Sequence, residues 1–85
     1  MDIEKYFKEY GFRSRSTTDE KVEGVENIEV KEVAKNEDGL ILLEFDSTLC
    51  DTMVSYETVE ELFPNYNFDI NKGYLFKLNN ILYFE

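Results

Sequence analysis

Apolar residues recur with a helical period at the start of the chain. Ile3, Tyr6, Phe7 and Tyr10 fall at i, i+3, i+4 and i+7, one face of a short helix over 2–11. Asp2 suits its N-cap and Gly11 the position just past its end, with apolar Phe12 following. Residues 13–24 are polar and predict a mobile connection, with room for a short strand at 12–16. The period then changes to that of strands. Residues 26–34 and 40–46 predict a β-hairpin around Asn36-Glu37-Asp38-Gly39, because glycine supplies the positive φ of such a turn. A four-residue loop pairs Lys35 with Leu40. It sets Lys31 opposite Glu44 and Glu29 opposite Asp46 on a polar face, and Val30 opposite Phe45 and Ala34 opposite Ile41 on a core face. Glu32 then meets Leu43, a mismatch that calls for a bulge or a different register.

Residues 47–54 fit loop or strand equally. A second helix is predicted over 56–63, capped by Ser55 and followed by Pro64. Tyr56, Val59, Leu62 and Phe63 point inward, and Glu57, Glu60 and Glu61 outward. Residues 67–70, 74–78 and 81–85 predict strands, with Asn71-Lys72-Gly73 and Asn79-Asn80 as turns. In the last hairpin Phe76, Leu78, Ile81 and Tyr83 share one face. Leu75, Leu82 and Phe84 share the other with Lys77. A hairpin apolar on both sides needs cover on both, from the first helix, a second copy of the chain or a partner. The expected fold is one α+β domain over 1–85, an antiparallel sheet of two β-hairpins packed with one or two short helices.

Composition narrows the chemistry. There is no histidine, which removes the commonest general base and metal ligand. The single cysteine, Cys50, allows no internal disulfide and, without histidine, no structural zinc site. No signal core or membrane-length apolar run occurs, so the expected compartment is the cytoplasm. Glycines 11, 24, 39 and 73 are isolated and form no phosphate-binding loop. No cofactor is implied.

Residues 40–52, Leu-Ile-Leu-Leu-Glu-Phe-Asp-Ser-Thr-Leu-Cys-Asp-Thr, resemble the first motif of haloacid-dehalogenase-like phosphatases. The nucleophilic aspartate of that motif falls on Glu44 and its glycine on Ser47. The chain that follows is too short for the rest of that parallel sheet, so a buried strand ending in a polar turn is the preferred reading. Asp69-Ile70-Asn71-Lys72-Gly73 resembles the opening of a calcium loop, but the glycine is out of place and no closing glutamate follows; a turn accounts for it. Arg13-Ser14-Arg15 reads as a solvated basic spot or a partner for the chain's own acids, and Cys50, beside Asp51 and no base, as structural.

Charge is the outstanding feature. The chain carries 19 acidic and 9 basic residues, net −10. Residues 1–35 hold nine acids and seven bases, and residues 72–85 one acid and two bases. Residues 36–71 hold nine acids and no base. These are Glu37, Asp38, Glu44, Asp46, Asp51, Glu57, Glu60, Glu61 and Asp69. Glu44 and Asp46, two apart on a strand, would sit about 6.6 Å from each other on one outward face. DNA carries one charge per ~3.4 Å of each strand, so such an array can occupy a groove built for phosphates. Tyr56 and Tyr66 lie within the block and would serve as aromatic anchors.

In size, charge and lack of catalytic residues the chain resembles small phage-encoded inhibitors of host defence, of the anti-CRISPR or anti-restriction type. The resemblance is one of class and carries no motif. It implies an acidic protein, without enzymatic activity, that blocks a basic nucleic-acid-binding protein, a nuclease or CRISPR effector, in the host cytoplasm. It implies no direct binding to nucleic acid and no membrane. Two alternatives stay open: an immunity protein or antitoxin against a nuclease toxin, and a structural subunit that homodimerises through its C-terminal hairpin.

Overall fold

The computed structural model describes residues 2–16, 30–48 and 53–85. In chain order the elements are α1 (Ile3–Glu9), β1 (Arg13–Ser16), β2 (Lys31–Lys35), β3 (Ile41–Asp46), α2 (Tyr56–Leu62), β4 (Lys72–Leu78) and β5 (Ile81–Phe84). The five strands form one sheet in the order β1-β5-β4-β3-β2, and every neighbouring pair is antiparallel. Two hairpins, β2–β3 and β4–β5, thus meet through β3 and β4, while β1 extends the sheet beyond β5. This is the expected α+β arrangement, with the strand at 12–16 present as β1.

Both helices end where local chemistry requires. The Asp2 side chain accepts from the Lys5 amide at the start of α1. At its end Gly11 takes a left-handed φ of 71°. The Gly11 amide donates to the Lys8 carbonyl and the Phe12 amide to the Phe7 carbonyl. That doubly bonded ending brings Phe12 against Phe7, ring centroids 4.6 Å apart. Ser55 caps α2 by accepting from the Thr58 amide, and Pro64 follows the C-cap residue Phe63.

The sheet is apolar on both sides. On one, Leu40, Leu42, Tyr74 and Phe76 pack under Ile3 and Phe7 of α1 and under Val59, Leu62 and Phe63 of the α2 region. On the other, Leu43, Phe45, Leu75, Leu82 and Phe84 form a second buried cluster, with Ile41 and Met53 against it. The register of β4 and β5 is the expected one, Phe76 opposite Tyr83, Lys77 opposite Leu82 and Leu78 opposite Ile81. Phe7 lies 4.4 Å from the Tyr83 ring, so α1 covers that face. Leu75, Leu82 and Phe84 on the other face are also buried. Ile81 of the same hairpin remains exposed.

The β2–β3 hairpin corrects the expected pairing. The Asn36 amide donates to the Leu40 carbonyl, and the Asn36 side chain accepts from the Leu40 and Asp38 amides. The loop is therefore three residues, Glu37 to Gly39, with Gly39 at φ 83°. Lys35 pairs with Ile41, and Ala34 with Leu42, instead of Leu40 and Ile41. A bulge between Glu32 and Ala34 absorbs the extra residue, so Lys31 still meets Glu44 and Glu32 still meets Leu43. Glu44 shares the face of Leu42 and stands opposite Tyr74, so it lies beneath the helices and not on a solvent face. Val30 precedes the strand and is exposed, and the Glu29 pairing lies outside the described residues.

Two further expectations fail. Residues 67–70 are not a strand, and Lys72 and Gly73 are not in a turn: they pair with Asp46 and Phe45. Glycine at position 73 answers to packing, because a Cβ there would lie 2.5 Å from the Phe45 ring. Gly73→Ala is expected to destabilise the fold by about 1–3 kcal/mol through overpacking. Urea denaturation measures this, and pairing the change with Phe45→Leu should recover part of the loss.

Candidate functional site

The described acids divide into those the fold uses and those it leaves at the surface. Glu44 belongs to the first group. Its Oε2 accepts from the Tyr74 hydroxyl at 2.8 Å and the Tyr66 hydroxyl at 2.9 Å, and the residue is half-buried. Tyr74 is fully buried, and its hydroxyl also accepts from the Asp69 amide at 2.7 Å. The expected outward pair of Glu44 and Asp46 does not exist, because a carboxylate under α2 is stable only with such donors. Tyr56 and Tyr66, expected as aromatic anchors, are half-buried, and their hydroxyls bond within the chain. Tyr56 donates to the carbonyls of Ile70 and Lys72 and stacks on Phe68, centroids 5.4 Å apart. Burial first, then the bond to Glu44, holds the Tyr66 phenol above its ordinary pKa; burial does the same for Tyr74.

Asp46 stands at the far end of β3. Its carboxylate accepts from the Thr48 hydroxyl and amide, which lowers its pKa, and Lys72 opposite adds to the effect. Asp69 accepts from the Asn71 amide, which makes a turn of the stretch resembling a calcium loop. Glu61, although exposed, binds the Tyr6 hydroxyl of α1 at 2.9 Å. Burial, then that bond, pushes the Tyr6 pKa up to about 12. Asp51 and Cys50 lie outside the described residues. Arg13 is no free basic spot: its guanidinium sits 4.9 Å from the centre of the Phe84 ring and donates to the Glu85 carbonyl.

Glu37, Glu57 and Glu60 are exposed, and among the described residues they carry no hydrogen bond or ion pair. Asp38 is exposed beside Glu37. The direction of α2 relates them. Its first residue, Tyr56, reaches Lys72, which pairs with Asp46. Its last residue, Leu62, lines a cleft shared with the β2–β3 turn. The helix thus runs from the Asp46 and Asp69 end of the sheet to the Glu37 and Asp38 end, roughly 16 Å along β3 at about 3.3 Å per residue.

That cleft, of about 510 Å³, is a feature the sequence did not reveal. Residues 34–38 form one wall and residues 62–66 the other. Their sequence separation hid it; the turn signal at 36–39 and the helix stop at Pro64 were its only traces.

No protein-family profile, curated protein or solved structure matches this chain. Among the described residues no helix is long and apolar enough to cross a membrane.

Two outcomes test the internal network. Tyr74→Phe should cost about 1–3 kcal/mol, because it strips a donor from Glu44 and leaves the Asp69 amide without its acceptor. A double-mutant cycle with Tyr66→Phe should show coupling, since both hydroxyls share one carboxylate oxygen. Alkaline titration tests the second. The unfolded chain loses its tyrosine protons near pH 10, while folded Tyr6 holds its proton to about 12. The stability linked to Tyr6 is therefore complete below pH 10 and is lost as pH rises through about 12. Phenolate absorbance alongside denaturant midpoints should show this loss, and Tyr6→Phe should reduce it.

Proposed function

We propose that this protein is an acidic binding protein without catalytic activity. It would inhibit a basic nucleic-acid-handling protein, of the nuclease or CRISPR-effector kind, by setting carboxylates where phosphates would lie. Its setting would be the cytoplasm of the cell that holds the target. The observation that carries this reading is the placement of Glu57 and Glu60 along α2, with Glu37 and Asp38 across the cleft at its end. Glu57 and Glu60 lie three residues apart on the helix, a rise of about 4.5 Å, against ~3.4 Å per charge along a DNA strand. No lysine or arginine occurs between positions 36 and 71, and Lys35 is the one cation lining the cleft beside the turn.

The row is also mechanically fixed. α2 is packed through Val59 and Leu62 and tied to α1 by the Tyr6–Glu61 bond. A helix already packed adds no backbone-ordering cost on binding, and the field of its acids accelerates encounter with a positive surface. Salt should weaken such an association steeply.

Pull-down from a bacterial lysate at low and high salt tests the reading. Recovery of a basic nucleic-acid-binding protein at low salt, and its loss at high salt, is expected; recovery of none at low salt would sink the proposal. The double variant Glu57→Lys/Glu60→Lys should lower affinity at least tenfold while circular dichroism stays unchanged. Glu61 is left intact in that variant because it anchors Tyr6.

A further inference from the structure

We draw no further inference here: the strongest candidate, the apolar face of the sheet turned away from the helices, where Leu43, Phe45, Leu75, Leu82 and Phe84 cluster with Ile41 and Met53 against them, carries nothing because nothing among the described residues shows what covers it.

Discussion

Glu44 places a carboxylate on the side of the sheet that the helices cover, next in line to Leu42 and opposite Tyr74. An ionised group there, without donors, would cost far more than the net stability of a domain this small allows. The Tyr66 and Tyr74 hydroxyls supply the donors, and their origins explain the architecture around them. Tyr66 lies in the irregular segment after α2, so its bond fastens that segment to β3. Tyr74 lies in β4, and its hydroxyl also accepts from the Asp69 amide. The Tyr56 hydroxyl reaches the carbonyls of Ile70 and Lys72 from the start of α2. Three tyrosines thus hold a connection that has no strand partner of its own, and with it the position of the helix above the sheet.

This arrangement accounts for what could be read in the chain and what could not. Signals that act within a few residues were legible. Asp2 and Gly11 bracket α1, Ser55 and Pro64 bracket α2, and the alternation from Leu75 to Phe84 gives the register of the last hairpin. Signals that depend on distant residues were not. Glu44 alternates with Leu43 and Phe45 like any outward residue of a strand, and nothing local says that tyrosines 22 and 30 positions away will satisfy it. Gly73 has the look of a turn glycine until Phe45 is placed over it. The Asn36 turn was recognised, but its length was not, because the Asn36 side chain closes the loop by bonding Leu40. One residue of slippage there exchanges the faces of a strand until a bulge restores them.

The same division governs the acids. Their density in one third of the chain was visible, and their separate duties were not. Glu44 and Glu61 serve the packing of the helices, while Asp46 and Asp69 close turns. The single array suggested by composition therefore becomes a shorter row, Glu57 and Glu60 on α2 with Glu37 and Asp38 beyond the cleft. The tyrosines inside the acidic block, Tyr56 and Tyr66, serve as internal donors.

Solubility constrains the amount of surface charge and is indifferent to its order. It is served as well by acids interspersed with lysines, which also lessen self-repulsion. Of the acids left at the surface, Glu57 and Glu60 lie along α2 and Glu37 and Asp38 at the turn facing its end, while Glu4 and Glu9 lie on α1. Fold-serving hydrogen bonds account for Glu44, Glu61, Asp46 and Asp69, but they give no reason for the placement of Glu37, Glu57 and Glu60, near which Lys35 is the cation beside the turn. Like charges arranged in this way raise the free energy of the folded chain, and a cationic partner would lower it by bringing counter-charges. On the proposed reading, the cost of the row in the isolated protein and its use in a complex would be two sides of one electrostatic term.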